Sequence, residues 1–113
     1  MSGLRSRNKG KRGEREACEA LESIFPGIQR TYGQSRGAEV PDIDSPNCPY
    51  WIEVKNEKSP NPARAWLQAQ ADADDFDSPK VPIAVTKGTR RPWLVTMHVN
   101  EFIRLFKLAT RLW

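Results

Sequence analysis

The chain contains few of the residues on which zinc sites and thiol or imidazole chemistry depend. Among 113 residues there are two cysteines and one histidine. Cys18 and Cys48 lie far apart, with no Cys-x-x-Cys pair and no neighbouring histidine, which argues against a structural zinc site. The single histidine, His98, argues against a Cys/His or Ser/His/Asp catalytic group. The cysteine usage gives no sign of an oxidising compartment.

Long apolar runs are missing as well. No segment approaches the ~20 apolar residues of a membrane span, and no apolar run of signal-peptide length follows the basic N-terminus. We therefore expect a soluble, intracellular (cytoplasmic) protein. A chain of this length forms one domain that buries about two-thirds of its unfolded surface.

Positive charge is concentrated at the N-terminus. The formal net charge is +4, yet residues 1–15 hold six basic side chains against Glu14 alone, whereas the other 98 residues carry 12 basic and 13 acidic side chains. The six are Arg5, Arg7, Lys9, Lys11, Arg12 and Arg15. A basic segment on a near-neutral body favours a polyanionic partner, with DNA the first candidate; a disordered solubilising tail is the alternative. We interpret residues 1–9 as a flexible basic arm and residues 10–113 as a single domain.

Hydrophobic periodicity predicts an α/β fold. Apolar positions at helical spacing predict helices over about 11–25 and 62–76, and a final helix capped by Asn100. Short β-rich runs predict strands over 28–32, 40–44, 50–55, 81–87 and 92–99. The order α-β-β-β-α-β-β-α is expected to form a mixed five-stranded sheet flanked by helices.

The strand YWIEVK carries charged residues inside an apolar run. Successive side chains of a strand point to opposite faces. One face would hold Tyr50, Ile52 and Val54, and the other Trp51, Glu53 and Lys55. On its own this pattern favours a half-buried strand whose outer face carries a solvated ion pair. The alternative is an active-site strand.

Two further acids fall near Glu53 and favour that alternative. Asp42 lies on the preceding strand, which a tight turn joins to the strand of Glu53, and Glu14 lies on the inward stripe of the first helix. Clustered carboxylates are costly to ionise. A hard divalent cation relieves that cost, and oxygen ligands select Mg²⁺ or Mn²⁺ over zinc. With Lys55 placed where a phosphate would sit, this composition predicts a metal-dependent phosphodiesterase site.

Three motifs carry a family resemblance. KGKRGERE (9–16), VPDI (40–43) and IEVK (52–55) resemble the PD-(D/E)XK nuclease superfamily and are particularly similar to the archaeal-type Holliday junction resolvases. The resemblance is close over the first half of the chain and extends to the rest only in pattern. It implies that four residues occupy catalytic positions: Glu14, Asp42, Glu53 and Lys55.

The resemblance also implies roles for these residues. The three acids would hold one or two Mg²⁺ ions, which Mn²⁺ may replace, with the backbone carbonyl of Val54 as a further ligand. Lys55 would position the attacking water and help to deprotonate it. Arg15 would fall on the family's basic position, and the loop around Ser35 and Arg36 would contact the substrate.

The implied reaction is hydrolysis of DNA, leaving 5′-phosphate and 3′-hydroxyl ends. A four-way junction needs two symmetric cuts, so we expect a homodimer with two sites. Another endonuclease of the superfamily, of restriction, replication or repair type, would share every catalytic residue. An alternative of a different class is a non-catalytic basic DNA-binding module, which would need no acid cluster.

Several residues keep alternative roles. Asp44 shares a strand face with Asp42 and is an alternative ligand, although a turn-capping role is favoured. Gln70 either supports the site from the second helix or is an ordinary boundary residue. The acids of residues 72–77 are expected to form a solvated helix face.

The remaining basic and aromatic residues are also open to two interpretations. The basic turn with Lys87, Arg90 and Arg91 either contacts phosphate or is a solvated loop. The tryptophans are expected in the core or at dimer contacts, and Trp51, on the face of Glu53, is the one candidate for stacking on a base.

Overall fold

The predicted order of helices and strands is confirmed. The computed structural model describes the backbone of residues 2–31 and 40–111, and the side chains of residues 9–31 and 40–111. In this part of the chain the elements are α1 (Ser2–Leu21), β1 (Gln29–Arg30), β2 (Ile43–Asp44), β3 (Tyr50–Asn56), α2 (Pro62–Asp75), β4 (Val81–Lys87), β5 (Leu94–Met97) and α3 (Val99–Thr110). None of the described helices is both long and apolar enough to cross a membrane.

The strands form one mixed sheet in the order β1-β2-β3-β4-β5. β3 and β4 are parallel, and α2 makes the crossover that a parallel pair requires. The other neighbouring strands are antiparallel. Ile52 of β3 pairs with Ile43 on one side and with Ile83 on the other, so β3 is the central strand.

The alternation predicted for β3 is confirmed, but neither face is solvated. Tyr50, Ile52 and Val54 pack into a core cluster that includes Ala17 of α1. The opposite face lies under α2, and Glu53 is only 6% exposed there. The interpretation as a solvated ion pair on an outer face, which the two further acids already disfavoured, does not fit the structure, because a helix covers each side of the strand.

α2 lies close to the sheet because its inner stripe is made of alanines. Asn61 caps the helix by accepting a hydrogen bond from the Arg64 amide at 3.0 Å, and Pro62 occupies the first turn. Ala65, Ala69 and Ala73 follow at intervals of four and are buried. Small side chains on one face allow the helix axis to approach the strands.

α1 begins earlier and ends earlier than predicted. The backbone is helical from Ser2, within the segment expected to be a flexible arm, because arginine and lysine are good helix formers. The helix ends at Leu21, whose carbonyl accepts hydrogen bonds from the amides of Ile24 and Phe25 in the following turn. Ile24, expected on the inward stripe, is consequently 64% exposed.

The last helix begins before the predicted cap. His98 has an extended backbone, and its Nδ1 accepts a hydrogen bond from the Asn100 amide at 3.0 Å. His98 is therefore the N-cap, and the prediction of Asn100 is wrong because Val99 is already helical. This gives the single histidine a structural role.

Candidate active site

The β2–β3 hairpin fixes Asp42 beside Glu53. The Asp42 amide donates to the carbonyl of Ile52 at 3.1 Å, which continues the ladder one residue before β2. In return, the Asp42 Oδ2 accepts a hydrogen bond from the Val54 amide at 2.8 Å. These two hydrogen bonds hold the Asp42 carboxylate beside Val54, the residue that follows Glu53.

An open cavity of about 540 Å³ lies at this end of β3. The four residues expected to be catalytic all line it, and so does Val54. The complete lining is Lys9, Gly10, Glu14, Asp42, Glu53, Val54, Lys55, Asn56, Glu57 and Lys58. Residues from α1, the segment before β2 and β3 therefore meet at one place.

The carboxylates in the cavity are costly to ionise. Burial raises the pKa of Asp42 to about 6, the charge of Glu14 adds to this, and the Val54 amide opposes it. Burial also raises the pKa of Glu53 to about 7, helped by the charge of Asp42 and opposed by Lys55. Each acid makes the other harder to deprotonate, so the site favours the arrival of positive charge.

Lys55 supplies one positive charge to this group. Its Nζ lies 3.4 Å from the Glu53 Oε1, and the lysine side chain is 34% exposed, so it reaches from the buried acid to the open cavity. The ammonium lowers the pKa of both Asp42 and Glu53. This offset is only partial, because both pKa values remain raised.

Glu14 reaches the cavity because α1 passes very close to β3. A Cβ atom on Gly13 would lie 2.5 Å from the Cβ of Asn56, so only glycine permits this approach. The Glu14 Oε1 accepts a hydrogen bond from the Arg30 Nε at 2.6 Å. Arg30 was not identified from the sequence, since no motif marks a basic residue on a two-residue strand.

The donor set suits Mg²⁺ better than zinc. Within residues 9–31 and 40–111, no three or more His, Cys, Asp or Glu side chains are close enough to hold one ion. Mg²⁺, however, is commonly bound through one or two carboxylates and completes its shell with water and substrate phosphate. The oxygen donors of Asp42 and Glu53 meet that requirement, and Glu14, now held by Arg30, lies at the same cavity.

Asp44 lies away from the cavity. Its Oδ1 accepts hydrogen bonds from the Lys80 Nζ at 2.6 Å and from the Ser45 amide at 2.9 Å. The hydrogen bond from the Ser45 amide is the contact that the favoured turn-capping role predicts, and Asp44 does not line the cavity with Asp42 and Glu53. Lys80 fixes it at the turn end of the strand.

Of the two polar residues of α2 near the site, Asp72 interacts with its charges, whereas Gln70 fits the alternative of an ordinary boundary residue. Gln70 is half-buried but does not line the cavity. The charge of Asp72 contributes to the raised pKa values of both Asp42 and Glu53. Asp72 is half-buried, so the prediction of a solvated face is wrong for Asp72, although Asp74, Asp75 and Asp77 are exposed.

Two further lysines and one further acid line the cavity. They are Lys9, Lys58 and Glu57. The β4–β5 turn is tied alongside by hydrogen bonds from the Glu57 amide to the Lys87 carbonyl at 3.1 Å and from the Thr89 amide to the Lys58 carbonyl at 3.3 Å. Lys58 was not singled out in the sequence, because its place depends on this contact between two loops.

The other expected DNA contacts are partly described. Lys11, Arg12, Arg15, Arg90 and Arg91 are exposed. Arg15 borders a separate cavity together with Cys18 and Arg30. The side chains of Arg5 and Arg7 and all of Ser35 and Arg36 lie outside the described residues.

Trp51 is a core residue. It is 3% exposed, packs with Ala69 and Ala73, and stacks on Phe76 with ring centroids 6.4 Å apart. A ring covered in this way offers no face to a base.

Comparisons with known proteins do not identify a family for this chain. No family model, curated protein or solved structure matches the chain. The support for a function is therefore the geometry of the site, the charges around it and the resemblance of the three motifs.

Proposed function

We propose that this protein is a metal-dependent, structure-selective DNA endonuclease, a Holliday junction resolvase that makes paired cuts in four-way DNA junctions. The observation that carries the proposal is the meeting of Asp42, Glu53 and Lys55 at one open cavity, with the pKa of both acids raised. Structural ion pairs usually lower the pKa of a carboxyl, whereas burial here raises the pKa of two carboxyls that line an accessible cavity.

The residues divide the chemistry between them. Asp42 and Glu53, with the Val54 carbonyl, would hold Mg²⁺ or Mn²⁺, and Glu14, which Arg30 holds, lies at the same cavity. A bound ion of this kind supplies an activated water and polarises the phosphate. Lys55, 3.4 Å from Glu53, orients the nucleophile and stabilises charge that develops on the phosphate.

The surroundings support a polyanionic substrate. Lys9 and Lys58 line the cavity, and the β4–β5 turn, whose sequence carries Lys87, Arg90 and Arg91, is hydrogen-bonded to the backbone of Glu57 and Lys58. Contacts of this type bind the DNA backbone and carry no sequence information. Selection of a branched substrate would therefore depend on the shape and deformability of the DNA, and a DNA substrate implies action inside the cell.

A panel of labelled DNA substrates tests the substrate class. We expect paired, Mg²⁺-dependent cuts in a synthetic four-way junction, with 5′-phosphate ends that a ligase can reseal, and little cutting of linear, splayed or single-stranded DNA. Preferential cutting of linear or splayed DNA would support a nuclease of another substrate class and contradict the resolvase assignment. Binding without cutting in any metal would support the non-catalytic DNA-binding module instead.

A further inference from the structure

Thr86 is a buried polar residue that packing alone does not explain. It lies on β4 and is 1% exposed, and its Oγ1 has no hydrogen-bond partner among the described residues. A valine has nearly the same shape and would fill this place without a hydroxyl. An unpaired buried hydroxyl costs free energy of folding, and folded proteins contain few of them. Thr86 therefore calls for a role that uses its oxygen.

The register of the sheet places Thr86 beside Lys55. β3 and β4 run parallel, and Lys55 pairs with Thr86 as Glu53 pairs with Ala84. Paired residues on neighbouring strands lie on the same face of a sheet. Thr86 thus shares the face under α2 that carries Glu53 and Lys55. The unpaired hydroxyl belongs to the residue next to the lysine of the site.

Lys55 is held loosely and has room to move. Its Nζ lies 3.4 Å from the Glu53 Oε1, which is longer than the roughly 2.7–2.9 Å of a charge-assisted hydrogen bond. Lys55 lines the cavity of the site and also a second cavity of about 330 Å³, whose lining includes Ala65 and Gln68 of α2. With open space on two sides, the lysine side chain can exchange one partner for another.

Glu53 cannot serve a cation and Lys55 equally well. In the proposed function Glu53 is a ligand of Mg²⁺, and a carboxylate that holds a cation attracts an ammonium less strongly, since the two positive charges repel each other. The lysine ammonium has three hydrogens to donate and therefore needs another acceptor when it leaves Glu53. A threonine hydroxyl can accept such a hydrogen bond, and that of Thr86 is unused.

We propose that Thr86 is a positioning residue for Lys55, whose ammonium donates a hydrogen bond to the Thr86 Oγ1 once Glu53 holds the metal ion. The inference rests on the proposed function and deepens it by naming the group that orients the lysine. In the metal-free protein the hydroxyl stays unpaired, and the new hydrogen bond removes that cost. Thr86 therefore favours the metal-bound arrangement of the site without being a ligand itself.

Two substitutions separate the hydroxyl of Thr86 from its shape. Thr86→Val removes the hydroxyl and keeps the volume, whereas Thr86→Ser keeps the hydroxyl. In EDTA, Thr86→Val should unfold at the same urea concentration as the wild type or at a higher one, because it loses an unpaired group. Calorimetric titration with Mg²⁺ alone should show affinity weakened about tenfold in Thr86→Val, and close to that of the wild type in Thr86→Ser.

Single-turnover cleavage of a labelled four-way junction gives the kinetic readout. Thr86→Val should lower the rate at saturating DNA about tenfold and leave DNA affinity unchanged. In the Lys55→Met background it should lower neither the rate nor the Mg²⁺ affinity further, because the partner of the hydroxyl is gone.

Thr96→Val is the matched control. Thr96 of β5 is half-buried and pairs with Ala84, so it lies on the same sheet face as Thr86 but not beside Lys55. The same substitution there should leave Mg²⁺ affinity and cleavage as in the wild type.

Three results would overturn this inference alone. The first is a Thr86→Val protein that binds Mg²⁺ and cleaves like the wild type. The second is loss of stability of Thr86→Val in EDTA, which would mean that the hydroxyl is already paired without metal. The third is an equal further loss in the Lys55→Met background. A wild type that neither binds Mg²⁺ nor cuts DNA would instead overturn the proposed function, and this inference with it.

Discussion

At the scale of single residues, Glu53 departs most clearly from an ordinary strand carboxylate. It is 6% exposed, and its carboxylate forms an ion pair with Lys55 at 3.4 Å. Burial and the charge of Asp42 together raise its pKa. A carboxylate maintained under these conditions costs stability, which is the usual sign of a functional position.

That cost predicts how stability depends on pH in the absence of metal. The folded-state pKa values of Asp42 and Glu53, about 6 and about 7, exceed the ordinary values of these side chains, 3.8 and 4.5. Between those values the folded state binds more protons than the unfolded state, so these acids lower the free energy of unfolding as pH rises. The loss should begin near pH 4, level off above about pH 7 and amount to on the order of 6 kcal/mol, since each tenfold change in proton affinity is worth about 1.4 kcal/mol.

Urea denaturation in EDTA measures the free energy of unfolding against pH for the wild type and for the variant Asp42→Asn/Glu53→Gln. The variant should gain stability relative to the wild type as pH rises through that window. If the difference in the free energy of unfolding between the two proteins stays constant with pH, folding does not raise the pKa values of these two acids.

Lys55 is predicted to act on the reaction more than on binding. Lys55→Met removes the ammonium beside Glu53 and should lower the single-turnover cleavage rate by at least about 100-fold, with DNA affinity within a few-fold of the wild type. Lys80→Met is the control, since Lys80 pairs with Asp44 away from the cavity, and it should cleave normally. Equal loss of rate in both variants would point to a general effect of charge.

Strand alternation and motif spacing were sufficient to predict that Asp42, Glu53 and Lys55 lie close together, because a hairpin and a pleat fix where those side chains point. Arg30, Lys58 and Asp72 were not predicted as site neighbours. Each reaches the site through the packing of an element distant in sequence, for example α2 for Asp72. No local pattern encodes such a contact.

At the scale of elements, the close approach of α1 to β3 sets the position of Glu14. Gly13→Ala would force the new Cβ against Asn56, so the helix must shift. We expect a loss of about 1–3 kcal/mol in the free energy of unfolding, together with reduced cleavage.

Gly10 in the same helix provides the matched control. A Cβ at Gly10 meets nothing within 4 Å, so Gly10→Ala should stabilise the helix by about 0.5–1 kcal/mol. Thermal unfolding measures the stability of both variants relative to the wild type. A Gly13→Ala protein as stable as Gly10→Ala would mean that the helix does not depend on this contact.

The existence and order of the elements followed from hydrophobic period, but several of their ends did not. α1 ends at Leu21 because the chain turns there, although the apolar pattern continues to Phe25. α3 begins at Val99 because the ring nitrogen of His98 caps it. Such ends are decided by individual hydrogen bonds, which periodicity does not report.

At the scale of the whole molecule, charge is distributed in a way that should govern DNA affinity. The N-terminal half of α1 is basic, and Lys9 borders the cavity. Replacing Arg5 and Arg7 by glutamine should weaken binding to all DNA substrates alike and reduce the slope of log affinity against log salt by about 1–2. Fluorescence anisotropy over a salt series measures this, and an unchanged slope would exclude phosphate contacts by both residues.

The central claim is that the cavity at the end of β3 is a metal-dependent nuclease site. The most direct test is cleavage of a labelled four-way junction in Mg²⁺ by Asp42→Asn beside Asp44→Asn, two equivalent changes two residues apart. We predict that Asp42→Asn abolishes cleavage while retaining DNA binding, and that Asp44→Asn cuts within a few-fold of the wild type. Equal activity of the two variants, or cleavage that persists in EDTA, would contradict the account.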